Sequence, residues 1–313
     1  MIAGFLVMDK PVGITSHDVV AVVRAVTGVE KVGHTGTLDP FATGVLPLAL
    51  GPATRLIQYL DEDHKVYDAT IQLGVATDTG DPTGSVVAEA PIPSLDEARI
   101  DAVLDGFRGP RMQVPPRHSA VKVKGKPLYA YARAGQEVEA AARPIRVDAV
   151  QRLSFDGSAL AVRIICGRGT YARVLAEEIA AALGTVGHLS ALSRAESGRF
   201  ALGDSLSMEQ LSEIAAGRPD WAVALRPTRG GERVRWAPRD DVRSALAARL
   251  VSPADAVSHL PAVEVPAALR ARLRSAPDAP PGAPAAGRAR VLVGGELIGI
   301  VESGRWLMRM GDA

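Results

Sequence analysis

Residues 33–47 constrain this chain more than any other stretch. They read Gly33-His34-Thr35-Gly36-Thr37-Leu38-Asp39-Pro40, then Phe41-Ala42-Thr43-Gly44-Val45-Leu46-Pro47. Three glycines and two prolines in so short a run exclude a continuous helix and match no strand period. Residues 31–47 are therefore expected to form a structured loop held by regular elements on either side. Glycines let such a loop approach a ligand closely or take positive φ, and loops on rigid scaffolds often carry function. It is not a P-loop, because no Gly-Lys-Ser/Thr follows. Asp39 is the sole carboxylate between Glu30 and Asp61. Two readings stand: a turn cap with Pro40 at the first helical position, or a nucleophile. A nucleophile needs a cation to keep it ionised in a dry pocket.

The flanking pattern predicts a strand at 5–9 and a helix capped by Ser16, running to Val26 and stopped by Gly28. A short helical stretch follows at 56–60 and a strand at 66–73. Ser94 with Glu97 reads as a capping box opening a helix to Leu104. A strand at 120–123, a helix at 128–134, a strand at 159–166 and a helix at 171–183 come next, and Ser207 with Gln210 caps a helix to Ala216. Without a regular βαβ beat, the expected class is α+β, a mainly antiparallel mixed sheet flanked by helices. Residues 1–250 are expected to form one domain, with 217–241 an irregular insertion rich in Arg, Gly, Pro and Trp. The Ala- and Pro-dense tract at 275–287 reads as flexible. Three short strands at 291–293, 297–301 and 306–308 make 255–313 a small β-rich C-terminal domain.

Composition narrows the function classes. The chain has 313 residues, 47% hydrophobic and 23% charged, as in ordinary globular proteins. No apolar run approaches the ~18 residues of a membrane span, and no basic residue precedes the apolar N-terminus, so no membrane association and a cytoplasmic location are expected. The single cysteine, Cys166, excludes an intrachain disulfide and a thiolate zinc site, and is read as a buried, inert thiol. The six histidines show no H-x-x-x-H spacing, so no metal is expected. Net charge is +1, yet the charges are unevenly spread. Residues 106–126 carry Arg108, Arg111, Arg117, Lys122, Lys124 and Lys126 without an acidic residue, and 157–173 repeat the pattern with Arg163, Arg168 and Arg173. Such a run fits either solvated side chains or a positive face that attracts a polyanion.

Several blocks in order resemble one family. The 33–47 segment is similar to the signature of the bacterial tRNA pseudouridine-55 synthase (TruB) family. Met8-Asp9-Lys10-Pro11-Val12-Gly13 with Thr15-Ser16 resembles its D-K-P-x-G-x-[TS]-S. Lys65-Val66-Tyr67 resembles its tyrosine-bearing strand, and residues 74–78 its L-G-x-x-T-D-T. Pro115-Pro116-Arg117-His118-Ser119-Ala120-Val121-Lys122, with Gly125, Tyr129, Ala132 and Arg133, resembles P-P-x-x-S-A-x-K-x-x-G-x-x-x-Y-x-x-A-R. Gly169-Thr170-Tyr171-Ala172-Arg173 resembles G-T-Y-[IV]-R, with Ala172 smaller than usual. Residues 187–194 resemble the block that ends L-x-R. The likeness runs from about residue 5 to 215.

The resemblance implies a pseudouridine synthase-like catalytic domain followed by a PUA-like RNA-binding domain. It implies an enzyme that detaches one T-loop uracil of tRNA at N1, turns it and rejoins it through C5, with no organic cofactor or metal. By the same likeness Asp39 is the nucleophile, attacking uracil C6 or ribose C1′. Arg173 would pair bidentately with it and hold it ionised. Tyr67 would stack on the base near C5, Tyr171 and Leu192 would line the uracil pocket, His34 would help hold the extruded base, and Lys10 would approach the RNA or the active-site loop. The expected partner is the tRNA T-arm stem-loop, without a guide RNA, bound by a monomer. A tRNA-folding chaperone with incidental catalysis is the alternative. An N-glycosidase that releases uracil typically needs a second acid, and the resemblance gives a catalytic role to no carboxylate besides Asp39.

Overall fold

The structure, a computed structural model, describes residues 2–61, 64–215, 240–273 and 277–310. The chain divides into two compact units. One comprises Met1–Leu38, Leu46–Asp61 and Arg199–Ala313; the other comprises Asp39–Val45 and Glu62–Gly198. The 217–241 insertion lies almost wholly outside the described residues.

The first unit opens with strand β1 (Gly4–Lys10), helix α1 (Ser16–Thr27) and strand β2 (Val32–His34), and takes the latter part of β3 (Thr43–Leu50). Helix α1 forms because Val19, Val22, Val23 and Val26 recur on one buried face, and Gly28 ends it at φ 64°. Its cap is Thr15, not Ser16. Thr15 accepts from the Asp18 amide while the Asp18 carboxylate accepts from the Thr15 backbone, a reciprocal box. Leu6, Met8, Leu46, Leu48 and Leu50 join the α1 valines in one core, with Leu206, Met208 and Leu211.

The same unit holds a separate C-terminal sheet whose strands, Ala262–Glu264, Arg288–Val293, Glu296–Glu302 and Arg305–Arg309, lie side by side in that order. The three predicted strands are present. Gly294 and Gly295, then Ser303 and Gly304, all take positive φ, as type I′ hairpin turns require. Val291, Val293, Ile298 and Val301 form their own core.

The second unit is built on a mixed sheet that begins with the first residues of β3. Beside it run β12 (Gly187–Ser197), β4 (Lys65–Leu73), β11 (Ala159–Cys166), β10 (Arg143–Phe155) and β7 (Gly109–Gln113). The β3–β12 contact is parallel, with Arg194 opposite Gly44; the rest are antiparallel. Residues 43–50 are therefore strand and not loop, although Gly44 and Pro47 interrupt the pattern. Helix α2 (Glu97–Asp105) is capped by Asp96, whose side chain accepts from the Arg99 amide; Ser94 lies outside it. Helix α4 (Ala172–Ala182) matches the predicted span, and its buried face holds Arg173, Leu175, Ala176, Ile179 and Ala180. Alternation along β4 buries Tyr67, Ala69, Ile71 and Leu73 on one face.

Candidate active site

Of the residues that the sequence marked out, Asp39, Tyr67, Tyr171, Arg173 and Leu192 belong to the second unit, where Asp39 and Arg173 meet. Asp39 starts a turn closed by the Ala42 amide on its carbonyl at 3.1 Å. Its carboxylate Oδ2 lies 3.0 Å from Arg173 Nε. Asp39 is partly open, its side chain 36% exposed, whereas the Arg173 side chain is 5% exposed. A reachable carboxylate thus rests on a buried cation.

Arg173 does more than pair with Asp39. One terminal nitrogen donates to the Thr79 carbonyl and the other to the His118 carbonyl, each at 2.8 Å. The guanidinium is thus shared among several acceptors. Asp81 is one of them, its Oδ2 3.6 Å from Arg173. Arg173 also stands in the first turn of α4, where no acidic residue faces the helix dipole. A cation at that end is disfavoured, and the two aspartates offset the cost.

Asp81 is the second carboxylate that motif reading missed. Its Oδ1 accepts from the Thr79 hydroxyl at 2.8 Å and from the Thr83 amide at 3.0 Å, and its side chain is 7% exposed. With Oδ1 holding the turn and Oδ2 facing Arg173, this buried carboxylate serves the structure of the site. A turn of the form T-x-T-G-D-x-T could have signalled it, because Asp and Thr side chains commonly close such turns.

Tyr67 lies in β4 directly opposite Ile164 of β11 and Arg194 of β12. Burial pushes its phenol above the ordinary value near 10, and the Arg194 charge and hydrogen bond pull partly against that rise. Tyr67 is therefore a neutral phenol at neutral pH. Arg194 was quoted only as the end of a motif, yet it is 1% exposed and donates from Nε to the Val45 carbonyl at 2.7 Å. Register shifts after Leu189 and after Arg194 re-aim the side chains of β12. Leu192, buried and opposite Ala69, precedes the second of these. Gly44 makes the close β3–β12 approach possible. At φ +100° its added Cβ would strike the Arg194 backbone.

Tyr171 caps α4 in extended conformation. The buried Gln113 amide grips its backbone from both sides, accepting from the Tyr171 N–H at 2.8 Å and donating to its carbonyl at 3.2 Å. Gln113 ends β7, and nothing in its sequence context marked it.

Two predicted residues belong to the first unit. His34 ends β2, its ring edge-on to His17 with centroids 5.3 Å apart. Lys10 is fully buried, and its ammonium donates to the Pro11 and Ile14 carbonyls at 2.8 and 2.7 Å. It ties the turn entering α1. Cys166 is buried and its thiol is pushed up to about 11, chiefly by that burial, so it is no nucleophile.

The basic face is also narrower than the sequence implied. Arg163 is held by Asp68 at 2.7 and 2.8 Å, and Arg173 is buried. Arg108, Arg117, Lys122, Lys124, Lys126 and Arg168 are exposed. Among the described residues, no helix is long and apolar enough to cross a membrane.

Comparison with known proteins gives the family. Residues 24–172 match the family described as TruB family pseudouridylate synthase, N-terminal domain. The chain is 45% identical to tRNA pseudouridine synthase B of Geobacter sulfurreducens, over 82% of this chain and 76% of that one. It is 45% identical to the Psychrobacter cryohalolentis protein of the same name, over 68% of this chain and 61% of that one. A chain of a crystallised Cbf5-Nop10-Gar1 complex superposes with TM-score 0.68 at 28% identity, covering 96% of this chain and 78% of that one. By class, then, this is a pseudouridylate synthase, an α+β enzyme with a further small C-terminal sheet. The chain belongs to the TruB family.

Proposed function

We propose that the chain converts the T-loop uridine at position 55 of tRNA to pseudouridine, with Asp39 as nucleophile. The observation that carries this reading is the Asp39–Arg173 pair, a partly open carboxylate set 3.0 Å from a buried guanidinium. The relatives named tRNA pseudouridine synthase B support the substrate class.

The isomerisation breaks the C1′–N1 bond and forms C1′–C5. C5 gives up a proton and N1 gains one, so the reaction is balanced without redox or phosphate transfer. A carboxylate can take part by adding to uracil C6 or to ribose C1′. Arg173 orients Asp39 and supplies its counter-charge. Tyr67 enters as a neutral phenol, stacking on the base and sharing a hydrogen bond with Arg194. Tyr171 and Leu192 line the base pocket, and His34 helps hold the extruded nucleotide. Flipping the base costs a few kcal/mol, offset by stacking and by phosphate contacts to Lys122, Lys124, Lys126, Arg108 and Arg168. The same reading takes residues 255–313 as a PUA-like RNA-binding domain after a catalytic domain, and the protein as a guide-independent cytoplasmic monomer without metal or cofactor.

The test is an unmodified tRNA transcript incubated with the purified protein alone, with pseudouridine mapped along the RNA by carbodiimide labelling. Modification confined to position 55 is expected. Intact uridine together with improved tRNA folding would transfer the assignment to an RNA chaperone, and free uracil would transfer it to a glycosidase.

A further inference from the structure

We propose that Ser16 is a positioning residue for Asp39, acting through the backbone of Leu38. The inference rests on the reading of Asp39 as the nucleophile. Because Thr15 performs the capping of α1, the Ser16 hydroxyl is left for another task. It accepts from the Leu38 amide at 2.9 Å and donates to the Leu38 carbonyl at 3.2 Å, across 22 residues of sequence. Ser16 is 1% exposed and Leu38 4%. One buried hydroxyl therefore satisfies both backbone groups of the residue that precedes Asp39. The Ala42 amide holds the carbonyl of Asp39 itself.

The physical need is plain. The segment before Asp39 is rich in glycine and threonine and leaves the strand after His34, with the Thr35 amide still donating to the Pro47 carbonyl at 3.1 Å. Without the Ser16 hydroxyl, a buried N–H and a buried C=O would lose their partner and the chain would shift to find another. A displacement of about 1 Å at a reacting group can cost on the order of a hundredfold in rate. The clasp thus converts a serine on α1 into control over where the carboxylate stands. Lys10 braces the same clasp from below, since its ammonium holds the Ile14 carbonyl two residues before Ser16.

The experiment compares Ser16→Ala, Ser16→Cys and Thr27→Ala with the wild type. Thr27 is the control: it is fully buried in the same helix, but its hydroxyl bonds to Val23 and Val29 instead. Single-turnover conversion of a T-arm stem-loop RNA, RNA affinity, thermal midpoint and amide hydrogen exchange over residues 36–42 are read for each. Ser16→Ala is expected to slow the chemical step by roughly tenfold to a hundredfold with affinity within about twofold, and to speed exchange at 36–42. Ser16→Cys should recover part of both. Thr27→Ala should lose thermal stability while keeping rate and exchange. Wild-type rate or unchanged exchange in Ser16→Ala would overturn the proposal, as would an equal loss of rate in Thr27→Ala. Should Ser16→Ala not fold, Ser16→Cys carries the test, because its longer and weaker hydrogen bonds must still slow the step and loosen 36–42. Asp39→Asn runs alongside. Full activity there, with faster exchange in Ser16→Ala, would sink the nucleophile and leave the clasp standing.

Discussion

Replacing Arg173 by methionine removes the cation but keeps a long apolar stem of similar reach. The structure sets the magnitude. Arg173 has a side chain 5% exposed and serves Asp39, Asp81 and the carbonyls of Thr79 and His118. Breaking a buried ion pair by removing one partner costs about 3–5 kcal/mol, and each carbonyl left unsatisfied adds about 1–3 kcal/mol where water cannot reach it. These overlap, because the same relaxation relieves several of them. Asp39 can rehydrate, its side chain being 36% exposed, whereas Asp81 at 7% cannot. The expected net loss is therefore about 3–5 kcal/mol, most of it through Asp81. That is a large part of a typical stability of about 5–15 kcal/mol and corresponds to a fall of roughly 6–20 °C in the thermal midpoint. Calorimetry of wild type, Arg173→Met, Asp81→Asn and the double variant provides the assay. Neutralising Asp81 should cost markedly less in the methionine background than alone, a coupling of about 1–3 kcal/mol. A methionine variant within about 1 kcal/mol of wild type, or strictly additive losses, would refute the reasoning.

Three further outcomes are expected. Gly44→Ala should lose about 1–3 kcal/mol, since φ +100° strains any Cβ and the new methyl meets the Arg194 backbone; denaturant unfolding reads the loss, and T-arm RNA conversion should fall with it. Tyr67→Phe keeps the ring and removes the hydroxyl shared with Arg194, so RNA binding should stay within about threefold while conversion drops on the order of a hundredfold; parallel binding and rate measurements separate the two. The Cys166 thiol, pushed up to about 11, stays protonated in the folded chain after the unfolded thiol ionises near 9.0. Its contribution is complete below pH 9 and is lost as pH rises towards 11, about 2–3 kcal/mol in all. Urea unfolding at pH 8 and pH 10.5 should show that loss in the wild type and a shallower one in Cys166→Ala.

Where hydrophobic spacing and local caps decide an element, the sequence was readable. Helix α1 has its valine face and its glycine stop, α4 has its alanine-rich span, and the C-terminal hairpins have their Gly-Gly and Ser-Gly turns. Strands β10 and β12 were not found, because their register shifts break the alternation on which strand reading depends. The start of β3 was hidden by Gly44 and Pro47, residues that usually end strands but here allow a close parallel approach to Arg194. Capping was misassigned by one residue at Ser16 and by two at Ser94, since neighbouring Thr, Ser and Asp compete for the same donors. Asp39 and Arg173 were reachable through motif resemblance. Asp81, Arg194 and Gln113 were not singled out, because a charged or amide residue in a strand or turn reads as solvent-facing until its distant partner is known.

Tritium release measures the central claim most directly. A T-arm stem-loop RNA labelled at uridine C5 is mixed with wild-type protein and with Asp39→Asn in parallel. Release by the wild type alone, from an intact RNA and without free uracil, is the predicted result. Equal release from Asp39→Asn, or none from a wild type that binds the RNA tightly, would contradict the account.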